Sequence, residues 1–163
     1  MIWFNSRPTK KSWTTIDKMA RLKIELPPKP ISSFHIPVRI TDINYGNHVG
    51  NNSIVEIVHE ARVQFLKQYN FSELDVAGTS LIMSELSVEF KNESFYNDLL
   101  EVKIFSGEIS RVGFELFYEI SVKRNNEASV IIALAKTGMV CYNYRIKKIE
   151  AVPEELKSIL YGN

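Results

Sequence analysis

Apolar and polar residues alternate along several stretches of the chain, which is the pattern of strands that bury one face. The alternation is clearest at positions 82–90, and it recurs in later stretches. With a short apolar run ahead of the first polar loop, the pattern predicts five strands, at 35–40, 82–90, 99–109, 114–122 and 130–142. Pro37 restricts the first strand to an edge or an entry position, because proline cannot donate a ladder hydrogen bond.

Apolar residues three or four positions apart predict one long helix from about Ser53 to Asn70. Its apolar arc consists of Ile54, Ile57, Val58, Ala61, Phe65, Leu66 and Tyr69. Ser53 and Glu56 match a capping box at the helix start. Pro153 begins a short C-terminal helix. One strand, a helix and then consecutive antiparallel strands are the order of an α+β fold.

The chain divides into an N-terminal appendage, residues 1–30, and one domain, residues 31–163. The appendage carries scattered aromatic and basic residues and ends in the linker Pro27-Pro28-Lys29-Pro30, so we expect it to be disordered or extended. The remaining residues are enough for a single hydrophobic core, and the composition, 45% hydrophobic and 24% charged, is that of an ordinary soluble protein.

The charge, the apolar runs and the cysteine content indicate which partners and which cellular compartment to expect. A formal net charge of +1 gives no case for nucleic acid as the main partner. The longest apolar run, at 130–135, is too short to span a bilayer. The single cysteine, Cys141, excludes an intrachain disulfide and suits a reducing cytosol. We therefore expect a cytoplasmic protein without a membrane span.

The loop at 39–52 is rich in groups that can bind a ligand or carry a proton. It holds the carboxylate of Asp42, the amides of Asn44 and Asn51, the imidazole of His48, and Gly50. Asn, Asp and Gly suit tight turns. A backbone rich in glycine can also approach a ligand closely.

This loop and the helix after it resemble the signature of the hotdog-fold acyl-CoA thioesterases of the 4-hydroxybenzoyl-CoA thioesterase type. The matching positions are Asp42, the pair His48-Val49, Asn51, and the helix motif Glu60-Ala61-Arg62. The sequence departs from the pattern at Asn44, where the family usually has a second acid that is often catalytic. It also departs at Asn47 and Gly50. The spacing from His48 to Glu60 fits the related plant acyl-carrier-protein thioesterases, in which a helix glutamate is implicated.

The resemblance implies a hotdog fold, in which an antiparallel sheet of about five strands wraps around one long helix. It also implies a homodimer or homotetramer with active sites between subunits. The implied reaction is hydrolysis of an acyl-CoA thioester to a free acid and coenzyme A. It needs no metal and no cofactor.

Glu60 is the stronger candidate for the catalytic carboxylate. It lies just beyond the edge of the helix's apolar arc, whereas Glu56 faces outward. A carboxylate at this border can reach a cleft while its stem stays buried; the alternative is an exposed helix glutamate. Asp42 is the second candidate, as base or nucleophile, and its alternative is a turn cap that accepts backbone N–H groups.

The remaining candidates would bind or polarise the substrate. Asn44 and His48 could bond the thioester carbonyl, and the N–H groups of Gly50 and Asn51 could form an oxyanion site at the helix start. Arg111, with Lys91, could pair with coenzyme A phosphates. Each has a structural alternative as a turn residue or a solvated charge. The sequence has neither a metal-spaced Cys/His set nor a Gly-rich phosphate loop.

Two rival functions remain open beside the thioesterase. Asn44 in place of the usual acid is compatible with a non-catalytic module that binds acyl-CoA or acyl carrier protein. A hotdog hydratase acting on enoyl thioesters is the third hypothesis, although that group's own signature is not seen.

Overall fold

The computed structural model describes residues 23–124 and 128–162. In this part of the chain a strand and a helix are followed by five strands and a second helix. The elements are β1 (Ser32–Pro37), α1 (Asn51–Lys67), β2 (Ser80–Phe90), β3 (Leu99–Ile109), β4 (Gly113–Val122), β5 (Val130–Asn143), β6 (Lys148–Ile149) and α2 (Glu154–Leu160). The order predicted from the sequence is confirmed, and β6 is an additional short strand.

The strands of the described residues form one antiparallel sheet of six strands in the order β1-β3-β4-β5-β2, with β6 pairing with the end of β5. β1 lies at an edge of the sheet, as Pro37 requires. The pairing of Pro37 with Leu99 places the exit of β1 beside the start of β3. The loop that leaves β1 therefore lies at this end of the sheet.

Helix α1 buries its apolar side in one core with the sheet. The buried helix residues are Ile54, Ile57, Val58, Ala61, Phe65 and Leu66, and they share the core with residues of β1, β3, β4 and β5. The helix is 17 residues long and ends at Lys67, before the predicted end at Asn70. Asn70 has a φ of 59°, and Phe71 N–H donates to the carbonyl of Leu66, so the chain turns away in a left-handed C-terminal cap.

The predicted capping box at the start of α1 is wrong. Gly50 is the N-cap residue, and it provides no side-chain cap. Ser53 lies inside the helix, where its hydroxyl donates to the carbonyl of Asp42 at 2.9 Å. A tertiary contact therefore takes the hydroxyl that the local pattern assigned to the cap.

Residues 23–31 connect two distant parts of the sheet. Ile24 is buried, and its N–H donates to Glu89 Oε2 on β2 at 3.2 Å. Seven residues later, the Ile31 N–H donates to the carbonyl of Ile104 on β3 at 2.7 Å. Residues 1–22 of the predicted appendage lie outside the described residues, and the division of the chain at residue 30 stays a prediction.

Candidate active site

Asp42 organises the loop between β1 and α1. Its carboxylate accepts the backbone N–H of Arg39 at 2.7 Å and the Arg39 guanidinium at 2.9 Å. Its carbonyl accepts the N–H of Gly50 and the hydroxyl of Ser53, each at 2.9 Å. The residue is only 2% exposed. Asp42 thus fixes both the end of β1 and the start of α1.

Burial alone would raise the pKa of the Asp42 carboxyl, but the hydrogen bonds from the side chain and backbone of Arg39, and its positive charge, hold that pKa below its ordinary value. A lowered pKa in the folded state means that the ionised carboxylate stabilises the fold. This stabilisation is complete above the pKa of the unfolded chain. It is lost as the pH falls through the folded value.

We expect Asp42→Asn to lower the free energy of unfolding by about 1–3 kcal/mol at neutral pH, because the buried charge-assisted bonds to Arg39 are lost. Urea unfolding of the variant and the wild type measures this difference. The difference should shrink at about pH 3, where aspartate in the unfolded chain is protonated. An equal difference at both pH values would show that the charge of Asp42 does not stabilise the loop.

Asn44 and His48 bond to each other across a tight turn. Gly46 N–H donates to Asn44 Oδ1 at 2.7 Å, which leaves the Asn44 amide nitrogen facing His48 Nε2 at 3.1 Å. An amide NH₂ can only donate, so Nε2 accepts and the His48 hydrogen lies on Nδ1. Nδ1 in turn donates to the Gly46 carbonyl at 3.2 Å. The amide of Asn44 keeps one further N–H for a ligand.

The start of α1 gives only part of the predicted oxyanion site. Gly50 N–H is already bonded to the Asp42 carbonyl, so it cannot also serve a substrate oxygen. No acceptor for the Asn51 N–H is found within the described residues. The helix start carries a partial positive charge, and Asn51 is the donor that remains there.

Glu60 lies in a cleft of about 430 Å³ between the end of β1 and α1. The cleft is lined by Ile36, Pro37, Arg39, Asp42, Glu56, Ile57, His59, Glu60, Val63 and Gln64. Glu60 Oε1 accepts the side-chain amide of Gln64 at 2.8 Å, one turn further along the helix. Polar groups over an apolar floor, in a volume of this size, are typical of small-molecule sites.

A second cleft, of about 510 Å³, shares Asp42 with the first. Asn44, His48, Gly50 and Asn51 contribute to this second cleft, and Asp42 contributes to both. Within one chain, the structure therefore places Glu60 and the helix start in neighbouring clefts.

Arg111 is not brought to either cleft. It follows β3, whose first residue, Leu99, pairs with Pro37 beside the loop. Eleven strand residues at ~3.3 Å each separate the two ends of β3. Arg111 therefore lies beyond the opposite end of β3 from the loop of its own chain.

No role was predicted for Arg39, Gln64 or Glu73, and Arg62 was noted only within the motif Glu60-Ala61-Arg62. Arg39 opens the loop, Gln64 bonds Glu60, and Arg62 pairs with Glu73. The position of Arg39 three residues before Asp42 could have indicated its role. No local pattern points to Glu73, which reaches α1 from the loop ahead of β2.

Residues 23–124 and 128–162 contain no group of three His, Cys, Asp or Glu side chains placed to hold a metal ion. No helix within these ranges is long and apolar enough to cross a membrane.

Comparison with known proteins decides the family. Residues 38–160, which include the loop, α1 and every strand of the sheet except β1, match the model of the thioesterase-like superfamily. The chain belongs to this superfamily. The hotdog resemblance noted from the sequence is thereby confirmed, and membership indicates a thioester hydrolase.

Solved structures show the same fold as this thioesterase-superfamily protein. The 1,4-dihydroxy-2-naphthoyl-CoA thioesterase from Synechocystis aligns with a TM-score of 0.70 and 22% identity, over 79% of this chain and 94% of that chain. A hypothetical protein from Aquifex aeolicus aligns with a TM-score of 0.69 and 23% identity, over 79% and 98%. A relative from Aquifex aeolicus (strain VF5), named "Putative esterase", is 28% identical over 114 residues, which is 69% of this chain and 84% of the relative.

Proposed function

We propose that this protein hydrolyses an acyl-CoA thioester to a free acid and coenzyme A, with Glu60 as the base that activates water. The observation that carries the proposal is the position of the Glu60 carboxylate in a cleft with an apolar floor. Membership of a thioesterase superfamily supports the reaction class.

The Glu60–Gln64 hydrogen bond suits a base that must be held in one orientation. Gln64 bonds Oε1, and no hydrogen bond engages Oε2 in the part of the chain that is described. Oε2 is then free to take a proton from water while the water oxygen attacks the thioester carbonyl. The apolar floor of Ile36, Ile57 and Val63 would hold the acyl group away from bulk water.

Asp42 acts in this proposal as a positioning residue, because its carboxylate is committed to Arg39. Asn44 offers its free N–H, and Asn51 its backbone N–H, to the carbonyl oxygen as negative charge develops there. His48 fixes the Asn44 amide through the bond at Nε2. Gly50 shapes the turn, since its own N–H is occupied.

The separation of the two clefts supports a homodimer or homotetramer. Glu60 and the helix-start donors line different clefts of one chain. A second subunit is therefore needed to place Glu60 of one chain opposite the helix-start donors of another. The edge strands β1 and β2 have unpaired sides that such an assembly could cover. Arg111 and Lys91 would pair with coenzyme A phosphates only in this arrangement, with Arg111 coming from the partner subunit.

The proposal also places the enzyme in the cytoplasm, since a lone buried cysteine suits a reducing compartment.

The proposal is tested by incubating the purified protein with acyl-CoAs of short, medium and aromatic acyl groups and following free thiol. We expect release at a rate proportional to protein concentration for at least one acyl group. Calorimetric titration with the same acyl-CoAs measures binding, which is then compared with thiol release. Tight acyl-CoA binding with no thiol release would contradict the enzyme and favour the binding module, for which Asn44 in place of the usual acid is the best support.

A further inference from the structure

A second group that can carry a proton lies beside Glu60. His59 Nε2 lies 2.9 Å from Glu73 Oε2, and the other oxygen of Glu73 accepts Arg62 Nε at 2.6 Å. The three side chains form a row from the interior to the cleft, because they are 5%, 26% and 55% exposed in the order Arg62, Glu73, His59. A histidine oriented by a partly buried carboxylate is the arrangement that prepares an imidazole for proton transfer.

Glu73 is held ionised in this row. Burial alone would raise its pKa, but the hydrogen bond and charge of Arg62, and the bond to His59, hold the pKa of Glu73 below its ordinary value. Arg62 is itself buried, and its Nη1 has no partner in the described residues, so Glu73 is the acid that compensates its charge.

His59 has a nitrogen left for a substrate. Its Nε2 is bonded to Glu73, and no hydrogen bond to Nδ1 is found among the residues described. The residue lines the same cleft as Glu60. The other charged groups of this cleft are Arg39, Asp42 and Glu56, and Arg39 is already paired with Asp42.

We propose that His59, oriented by Glu73, is the acid that protonates the sulfur as the thiol leaves. This role rests on the proposed thioesterase function with Glu60 as base. It explains why the same cleft holds an imidazole with one occupied nitrogen next to a carboxylate with one occupied oxygen.

The step balances without a further reactant. Glu60 takes one proton from water as the oxygen bonds to the carbonyl carbon, and the carbonyl π electrons move to its oxygen. When these electrons return, the carbon–sulfur bond breaks and its electron pair leaves with sulfur. The sulfur takes the proton of His59 Nδ1. Proton transfer from Glu60 to His59 then restores both groups, so thioester and water become acid and thiol.

The test varies the basicity of the leaving group. The enzyme is given one acyl group on two thiols: coenzyme A, whose alkyl thiolate needs a proton, and 4-nitrothiophenol, whose stabilised thiolate leaves without one. The variant is His59→Gln, because the glutamine amide can donate to Glu73 as Nε2 does but has no acidic proton. We expect its rate to fall by about 10²-fold with the coenzyme A thioester and to stay close to the wild type with the aryl thioester.

Two further variants complete the design. Glu73→Gln keeps the shape and hydrogen-bonding capacity of the Glu73 side chain but removes its charge. Like His59→Gln, it should slow hydrolysis of the coenzyme A thioester more than that of the aryl thioester. His35→Gln changes a histidine on β1, paired with Glu101 in register and absent from the cleft, and should change neither rate.

The outcomes distinguish failure of the acid role of His59 from failure of the proposed thioesterase function. Equal losses on both thioesters in His59→Gln, or no loss on either, would overturn the acid role while leaving the enzyme in place. A wild type that releases neither thiol would overturn the proposed function and this role with it. Thermal unfolding of each variant identifies a loss that comes only from misfolding.

Discussion

We expect Glu60→Gln to lower the turnover number for thiol release by about 10²–10⁴-fold, with little change in substrate binding. Glutamine has the shape of glutamate and can still accept the Gln64 amide through its own oxygen. It cannot take a proton from water. The loss should therefore appear in kcat for both alkyl and aryl thioesters, because water must be activated in either case.

Glu56→Gln is the matched control for this prediction. Glu56 lies one turn earlier on α1, lines the same cleft, and has a side chain that is 66% exposed. It loses one negative charge without changing Glu60, so we expect most of the activity to remain. Comparable losses in the two variants would mean that the cleft requires negative charge rather than a base at position 60. Near-normal turnover in Glu60→Gln would remove Glu60 from the mechanism.

The second large effect concerns stability. We expect Glu73→Leu to lower the free energy of unfolding by about 3–5 kcal/mol, because Arg62 would be left as a buried charge without its carboxylate. Arg62 is 4% exposed, and Glu73 is its only ion-pair partner among the described residues. Arg62→Met should cost less, since the Glu73 left behind is partly solvated and still contacts His59.

Denaturant unfolding of the two single variants and the double variant checks this prediction. The double variant removes both charges, so it should be more stable than the sum of the two single losses implies. Additive losses in the cycle would show that the two side chains do not stabilise each other. The slope of the unfolding free energy against denaturant should stay the same in all variants, as expected when only the stability of the native state changes.

The strands could be predicted because alternation records which face is buried. β3 has the predicted bounds, 99–109, since its apolar residues lie opposite those of β4 throughout the core. β6 could not be predicted in this way. It has two exposed residues and pairs only with the end of β5, so no periodic signal marks it. Strands that bury one face can therefore be predicted from the sequence, whereas a short exposed strand cannot.

The site was less accessible from the sequence, because its chemistry depends on which group each polar atom contacts. Helix geometry predicted Glu60 at the border of the apolar arc. The structure exposes its side chain in the first cleft, and its catalytic role stays a prediction. The availability of the Gly50 N–H could not be judged, because its acceptor is the Asp42 carbonyl across the loop. The contact between His59 and Glu73 could not be predicted, because the two residues are 14 positions apart in the sequence.

The strand order has a consequence for how the protein is made on the ribosome. β2 is followed by β3 and β4, but among the described strands it pairs only with β5, which begins about forty residues after β2 ends. At a synthesis rate of ~5–20 residues per second, β2 waits roughly 2–8 s for its partner. During this interval a long strand with apolar residues on one face has an unpaired backbone, which makes it a template for association with other nascent chains. Slowing translation between codons 91 and 130 should therefore lower the yield of native protein more than slowing it after codon 143.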